Sequence, residues 1–465
     1  MATLNKVITT SVMILALLSK ASGQSNYWVS NSGSDSNPGT EAQPWLTIQK
    51  AANSMGPGST AFVLSGLYDE LVTTRTNGTS GSPITFQGID TPVVGSFRIT
   101  NHWQVVRGFS LRGTNSVDGP ALTFSLSSAN CLVQSNVFEL TGVNVGQLGM
   151  VHGEWGRVPS NHVIMHNRFL HPNYICMSVQ GQGHTVASNY FTQTNGWDAI
   201  ILNACNTVIS SNRFDNWSRP DGSDQHTDLL QSFSSNGEVS TNNVFERNYA
   251  SDCSGTQIGN FEDQAQNNSV ANWTFRNNVY DRVEAAANIY CSGFKFHNNV
   301  FYKSGLNTGG AIVFKSSVTK GQATNGVCFN NIFVECSSGI SNTQFGWYST
   351  AVEITDLVAD NNLVIGAGAG TTKVGFTDPN GLNGVDPLFV DPENGDFRLQ
   401  SSSQCIGAGT NLNASFTIDI SGTTRGDEWD IGAFEYAPSG GGGGGGGSSS
   451  VRAKSMRIGR IVRVQ

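Results

Sequence analysis

Short apolar segments separated by polar turns run along most of the chain, and one local phrase recurs between them. Each copy has an apolar strand, an asparagine, one variable residue and then an apolar residue, usually phenylalanine or tyrosine. The copies are spaced 21 to 35 residues apart, which predicts a single repeating structural unit. Their asparagines are Asn136, Asn167, Asn189, Asn212, Asn243, Asn278, Asn299, Asn331 and Asn362.

The segments inside each unit are too short for helices. Residues 207–211 and 293–297 are β-branched or alternate between apolar and polar side chains, and turn residues bound them. A propeller blade would need about 40–45 residues per repeat. The pattern therefore predicts an all-β protein, a right-handed parallel β-helix of about 10–12 coils with three short strands in each coil.

The repeated asparagine has a physical role in such a coil. We expect it at a sharp bend with positive φ, which asparagine tolerates better than most residues. Its amide would bond from coil to coil, and the aromatic residue two positions later would point inward and stack. In one coil, residues 199–202 and 207–211 are predicted strands, Asn212 is the bend, and residues 228–233 begin the next coil.

The N-terminus has the features of a secretory signal peptide, predicted over residues 1–23. Lys6 supplies positive charge, residues 7–18 are apolar, and Ala21 and Gly23 are small residues before the expected cleavage site. The apolar stretch is shorter than the ~20 residues that a bilayer span needs. We therefore expect a secreted or cell-surface protein without a membrane span.

Residues 24–438 form the predicted β-helix domain. A short amphipathic cap helix is expected within residues 44–52, because an open coil end exposes a sheet edge. Residues 386–392 and 430–436 are expected to close the other end. Two segments follow the domain, a Gly/Ser linker over 439–450 and a basic tail over 451–465.

The opening phrase, the asparagine–aromatic ladder and the closing phrases together resemble secreted β-helix proteins of the pectate-lyase type. Among these, polysaccharide lyase family 9 is the most similar, and the resemblance covers about residues 27–436. It implies a carbohydrate-active enzyme, and for family 9 a calcium-dependent lyase of acidic polysaccharides.

The charge and cysteine content of the chain limit the classes of partner that it can bind. The chain has 26 Lys and Arg against 34 Asp and Glu, a net charge of −8, which argues against nucleic acid or an anionic membrane surface. None of the eight cysteines forms a CxxC pair, which argues against zinc, and both disulfides and free buried thiols remain open. We expect a monomer with a polysaccharide substrate.

Polar and charged residues collect at one phase of the repeat. Counting back 14 to 16 positions from the asparagines reaches such residues on successive coils, which lie ~4.8 Å apart in a β-helix. This predicts a row on the outer face of one strand stack. Its members are His152, Tyr174, Asp198, Asp228, Glu262, Asp263, Glu284, Lys315 and the aromatic Trp347.

The densest acidic cluster lies in the loop before the strand that begins at Asp228. Asp221, Asp224 and Asp228 fall within eight residues and face Asp198 on the preceding coil. Carboxylates this close repel each other and need a counter-ion, and Ca²⁺ accepts several oxygen ligands in loose geometry. The set also resembles the calcium-binding aspartate cluster of family 9.

A lyase also needs a base, and the predicted candidates are His226 and Lys315. The sequence departs here from family 9, which has a lysine on the strand after the metal-binding coil. No lysine lies between Lys50 and Lys295, and that coil offers Glu262 and Asp263 instead.

Two other functions stay open. A glycoside hydrolase would use paired carboxylates, Asp228 with Asp198 or Glu262. A non-catalytic carbohydrate-binding rod would use only the groove. In all three cases side chains near the row are expected to contact the polysaccharide, namely His152, Tyr174, Trp197, Trp217, Arg219, Asp263 and Glu284.

Overall fold

A computed structural model describes most of the predicted β-helix domain. The signal segment, the linker and the tail lie outside the described residues. The residues that the structure describes are 25–113, 120–125, 127–139, 151–153, 159–170, 175–192, 197–219, 226–234, 237–306, 310–317, 319–336, 340–341, 356–366 and 378–438.

Thirteen strands form one parallel sheet, stack A, in which each strand pairs with the strand one coil later. Within the described residues this is one coil more than the upper end of the predicted range, so that prediction was low. The strands are Asn26–Val29, Thr60–Val63, Ile84–Gly88, Gln104–Arg107, Leu132–Gln134, Val163–Met165, Thr185–Ala187, Val208–Ser210, Val244–Glu246, Thr274–Arg276, Lys295–His297, Val327–Phe329 and Val358–Asp360.

Two further parallel stacks complete each coil. Stack B follows the asparagine bend and consists of Ser110–Leu111, Val137–Glu139, Arg168–Leu170, Tyr190–Thr192, Arg213–Asp215, Val300–Tyr302, Ile332–Val334, Leu363–Ile365 and Leu382–Asn383. Stack C consists of Leu122–Phe124, Val151–Gly153, Met177–Gln182, Ile200–Cys205, Thr227–Asp228, Leu230–Phe233, Ile312–Phe314 and Ile340–Ser341. Four long strands run through both stacks, namely Leu67–Thr73, Val93–Ile99, Tyr249–Glu262 and Val279–Tyr290. The predicted all-β parallel β-helix is confirmed.

The predicted cap helix is present as Ile48–Ser54. Its N-cap residue Thr47 accepts the Lys50 N–H, and the Glu70 carboxylate accepts the N–H groups of Ile48 and Gln49. The remaining elements are a parallel pair, two antiparallel pairs and a 3₁₀ turn: Ser240–Thr241 with Val270–Ala271, Ser316–Ser317 with Gly321–Gln322, Phe389–Asp391 with Asp396–Leu399, and Pro392–Asn394. No helix in the described ranges is long and apolar enough to cross a membrane.

A ladder of buried asparagines joins the coils at the bend between stacks A and B. At each step the Oδ1 atom of one asparagine accepts both the backbone N–H and the Nδ2–H of the asparagine one coil earlier. Asn278 bonds to Asn299 in this way at 3.0 and 2.9 Å, and Asn299 bonds to Asn331. The members are Asn136, Asn167, Asn189, Asn212, Asn248, Asn278, Asn299, Asn331 and Asn362.

Two details of the predicted bend are wrong. Asn243 is not in the ladder, because it precedes a strand of stack A and accepts the Thr207 N–H; Asn248 takes its place. The ladder asparagines also do not adopt positive φ. The residue before each one does, for example Ser211 at 56° and Asn277 at 53°. This leaves the asparagine itself buried, with its amide free to bond along the ladder.

The aromatic residues two positions after the ladder asparagines point inward and stack, as predicted. Successive ring centroids from Phe138 to Phe169, Phe191 and Phe214 are 4.7 to 4.8 Å apart. The next position in this stack is Ala250, a consequence of the corrected register at Asn248. None of the eight cysteines forms a disulfide, and seven of them are buried.

The C-terminal segment, residues 389–436, packs along the side of the later coils instead of closing the end as predicted. Phe389, Phe397 and Ile431 form an apolar cluster with outward residues of stack B such as Val300 and Ile332. Positive-φ asparagines anchor it by donating to its carbonyl oxygens, as Asn298 does to Asp430 at 2.8 Å. The same role falls to Asn277, Asn330 and Asn361.

At the turn before stack A, two buried histidines accept backbone N–H groups of the preceding coil, as the ladder asparagines do at the bend. His162 Nδ1 accepts the Cys131 N–H, and His184 Nδ1 accepts the His162 N–H at 3.2 Å. Asn243 fills this role for Thr207. Burial lowers the pKa of His184 to about 4, so the imidazole is neutral in the fold.

This predicts an acid-sensitive step in stability. Because the folded pKa of His184 lies below its ordinary 6.5, the unfolded chain binds the proton first as the pH falls. The free energy of unfolding should therefore drop by up to about 3 kcal/mol between pH 6.5 and 4. His184→Asn retains an acceptor, as Asn243 shows, and should lose less stability over that range in guanidinium unfolding at pH 7 and pH 4.5. An equal loss in both proteins would contradict this role.

Candidate active site

Asp198 and Asp228 lie side by side on adjacent coils of stack C. The register pairs Ile200 with Leu230, which puts the two aspartates at equivalent positions 30 residues apart. The Asp228 N–H donates to Asp198 Oδ1 at 2.8 Å. The structure therefore brings together the two acids on which the predicted metal site depends.

Both carboxylates are buried, with Asp198 5% and Asp228 0% exposed. Burial raises the pKa of each, and the charge of Asp228 raises that of Asp198 further. Asp228 Oδ1 is buried and finds no hydrogen-bond donor among the described residues. Two buried acids with an orphaned oxygen form a site that a cation would stabilise.

His226 is the basic group of this site. Its Nδ1 atom lies 2.6 Å from Asp228 Oδ2, and 39% of its side chain is exposed. The hydrogen bond to Asp228 raises the pKa of His226 to about 9, so the pair is an ion pair at neutral pH. Ligand atoms of Asp198, His226 and Asp228 all lie within 4.8 Å of one another, a spacing suited to one metal ion. The donors and the orphaned oxygen thus fit a divalent cation.

The remaining predicted members of the row are not aligned with this pair. Gln257 is the register partner of Asp228 on the next coil, and Ala285 follows it. Glu262 pairs instead with Phe233, five positions further along the strand. Asp221, Asp224, Tyr174 and Trp347 lie outside the described residues.

Two insertions explain the difference. The coils that contain Asp228 and Gln257 have longer connections after stack C than the preceding coil: the strands that end at Phe233 and Glu262 are followed by strands that begin at Ser240 and Val270, whereas Val208 follows Cys205 closely. Counting back from the asparagine therefore reaches Asp263 instead of Gln257. Asp228 was identified because two errors cancelled. The count started from Asn243 instead of the true ladder residue Asn248, five residues later, and this shift nearly equals the length of the first insertion.

Glu262 is held by three donors. Lys320 Nζ lies 2.6 Å from its Oε1, Asn260 donates to the same oxygen, and Gln264 donates to Oε2. Although burial acts to raise it, these bonds lower the pKa of Glu262. The carboxylate therefore stays ionised, which does not suit the proton donor that a hydrolase would need.

Asp263 and Glu284 bind backbone or neighbouring side chains. Asp263 accepts the Ser234 hydroxyl at 3.1 Å and the Asn268 N–H at 2.7 Å, which fixes the turn that follows its strand. Glu284 accepts the Gly255 N–H. These bonds account for both carboxylates structurally, so the predicted sugar contacts remain proposals.

The other residues predicted to contact the polysaccharide differ in their exposure and position. Trp217 is fully buried, and its indole N–H donates to the Trp197 carbonyl at 2.8 Å. A buried ring has no face for a sugar, so the prediction for Trp217 was wrong. Trp197 is partly exposed beside Asp198, and Arg219 is exposed at the edge of the loop. His152 lies in a stack C strand and is the register partner of Ser178, three positions past the Asp198 row.

Lys315 lies at the opposite end of the stack C strands from the aspartates. It follows Phe314, the register partner of Ile289, and is therefore adjacent to Tyr290 and in line with Glu262. That end is five positions from the aspartate row along the strand, yet the charges of Glu262 and Lys320 still act on Asp228, and the charge of Glu262 acts on His226. The sequence analysis did not identify Lys320, which lies on a hairpin that folds back and places it against Glu262. The only signal was the polar, glycine-containing stretch that forms the hairpin.

Comparisons with known proteins bear on the architecture. Pectate lyase Pel9A aligns with 90% of this chain and 97% of its own at a TM-score of 0.47 and 17% identity. XylC, solved with xylose, aligns with 89% of this chain and 98% of its own at a TM-score of 0.51 and 11% identity. At its TM-score, the likeness to XylC supports the parallel β-helix fold and nothing more. These identities leave the chemistry to the site itself.

Sequence comparisons add little. No family model matches the chain. The uncharacterized protein YwoF of Bacillus subtilis (strain 168) is 33% identical over 88 residues, which is 18% of this chain and 19% of that protein. The chain thus aligns with about a fifth of the length of this relative.

The cation site predicts a stability readout. Millimolar Ca²⁺ should raise the melting temperature of the wild type, since a ligand at a hundred times its dissociation constant adds about 2.7 kcal/mol. Asp228→Asn should abolish the rise, while Asp252→Asn, an exposed stack B acid paired with Arg282, should retain it. Equal shifts in both variants, measured by calorimetry with and without Ca²⁺, would remove the proposed site.

Proposed function

We propose that the protein is a polysaccharide lyase that cleaves a uronic-acid polysaccharide by β-elimination and depends on Ca²⁺. The observation that carries this proposal is the buried Asp198–Asp228 pair, with its orphaned oxygen, beside the half-exposed His226. Asp198 and Asp228 would hold the cation, with Asp221 and Asp224 as further oxygen ligands. The sequence resemblance to family 9 supports the same function.

The residues divide the chemistry between them. When bound, the cation neutralises the substrate carboxylate and makes the adjacent C5 proton more acidic. His226 is the basic side chain beside that position and is assigned the removal of the proton. An imidazolium cannot accept a proton, so this role requires that the Asp228 carboxylate be taken over by another partner such as the cation. Loss of the ion pair with Asp228 would lower the pKa of His226 and leave its imidazole neutral. Lys315, the alternative base, lies toward the other end of the strand beside Tyr290, so His226, which contacts Asp228, is preferred for this role.

A hydrolase is the second candidate, because Asp198 has a raised pKa and lies close to a second carboxylate. A separation near 5 Å is typical of retaining glycosidases. Against it, both acids are almost fully buried, and a nucleophile or proton donor has to reach the sugar. A binding rod explains the pair least well, since nothing in binding alone requires two buried like charges.

We also propose that residues 1–23 direct export and that the protein acts as a monomer outside the cell. The features that support export are the charged, apolar and small-residue segments of the N-terminus.

The lyase proposal predicts a specific product. Incubation with pectate, alginate or another uronate polymer should produce the ultraviolet absorbance of an unsaturated uronate, and EDTA should stop it. His226→Gln should lower kcat by about 10²-fold or more, as expected for loss of a general base. Asp252→Asn should match the wild type. Reducing ends released without absorbance, unaffected by EDTA, would indicate the hydrolase instead.

A further inference from the structure

The outer face of stack C carries a second chemical cluster, five positions along the strands from the aspartates. Phe233, Glu262 and Tyr290 are register partners on three successive coils, and Lys315 continues the line on a fourth. At ~4.8 Å per coil the row crosses ~14 Å of the face. Aromatic and charged side chains therefore alternate along a surface long enough for several sugar units.

A hairpin brings a second lysine into this row. The antiparallel pair Ser316–Ser317 with Gly321–Gln322 leaves the coil directly after Lys315 and folds back over Tyr290. Gly321 has a φ of 100°, and a Cβ there would lie 2.5 Å from the Tyr290 carbonyl oxygen. Only glycine fits this approach, which places Lys320 on Glu262, two coils away.

Among the described residues, the two lysines share one aromatic ring and one acid. Lys315 Nζ and Lys320 Nζ lie 5.6 and 5.4 Å from the centre of the Tyr290 ring. Lys320 is paired with Glu262, whereas Lys315 makes no salt bridge or side-chain hydrogen bond within the described residues. Burial and the neighbouring Lys320 lower the pKa of Lys315 to about 8, while the charge of Glu262 acts to raise it. A bound anion would supply the missing charge.

We infer that Lys315, Lys320 and Tyr290 form a carboxylate-binding subsite for a second uronate unit of the same polysaccharide. The inference rests on the proposed function, because it assumes an acidic polymer that also reaches the Asp198–Asp228 site. The subsite lies toward the other end of the stack C strands, where Glu262 and Lys320 are close enough for their charges to act on Asp228, so one polymer can reach both places. Tyr290 supplies a ring for stacking on the sugar, and the lysines select the free acid over its ester.

The test measures binding and turnover separately. Hexagalacturonate and hexamannuronate, each with its methyl ester, are titrated calorimetrically into the wild type and into Lys315→Gln, Lys320→Gln and Lys295→Gln. Lys295 is an exposed lysine on stack A and gives the matched charge control. We expect the first two variants to weaken binding of the preferred acid about tenfold, the cost of one charge-assisted contact, and to reduce the preference for acid over ester. Lys295→Gln should leave both unchanged.

Glu262→Gln should have the opposite effect on the affinity for the free acid. It removes the carboxylate that competes for Lys320, so the free acid should bind more tightly than to the wild type. Weaker binding, or an acid-to-ester ratio that none of the lysine variants changes, overturns the subsite. Circular dichroism and melting curves of each variant show whether the hairpin change has disturbed the fold.

Kinetics separate this inference from the proposed function. Lys315→Gln should raise KM with kcat within about twofold, as for loss of uniform binding; a lost kcat at unchanged affinity would make Lys315 the base and overturn the subsite. Lysine-dependent binding without any unsaturated product defeats the lyase proposal and leaves the subsite standing. Absence of binding by either hexamer to the wild type overturns the subsite.

Discussion

The buried asparagine ladder is the interaction on which the rest of the molecule depends. After Asn136, whose Oδ1 accepts the Phe109 N–H, each amide oxygen takes two donors from the preceding coil. Each Nδ2 also donates to a carbonyl of stack A, as Asn299 does to Phe275. These bonds lie in the dry interior, where an unpaired amide is costly, so they admit only one register. A fixed register turns a distance of 30 residues in sequence into one hydrogen bond between Asp198 and Asp228. The site is therefore a product of the ladder more than of its own local sequence.

The sequence was sufficient for the repeating part of the fold and insufficient for its irregular turns. The asparagine and the inward aromatic residue recur because every coil imposes the same bend and the same core position on them. An insertion in a turn between stacks leaves no mark on either feature, and Asn243 has the same local surroundings as a ladder residue. Register on the outer face could therefore not be counted reliably, which misplaced Asp263 and Glu262. Lys320 was invisible for a related reason, since a hairpin that leaves the coil obeys no repeat.

The C-terminal segment shows how the chain distinguishes its two faces. The residue before each ladder asparagine adopts positive φ, and it is Ser or another residue in earlier coils but Asn where this segment passes. The exchange from Ser211 to Asn298 adds an amide that binds the segment through the Asp430 carbonyl. Apolar outward residues of stack B occur on the same covered coils. Stack B is thus closed by the chain itself, whereas the row on stack C keeps its polar and charged side chains on a face that the segment does not use.

The two ends of the stack C face have charge imbalances of opposite sign. At one end, buried Asp198 and Asp228 share a single imidazolium; at the other, two ammonium groups share the Glu262 carboxylate. Each imbalance costs free energy in the isolated protein, and a weakly charged chain has no need of either for solubility. A polyuronate carrying a divalent cation presents both missing partners in one ligand, positive charge for the aspartates and a further carboxylate for the lysines. The two imbalances are therefore better understood as one binding surface than as two unrelated defects.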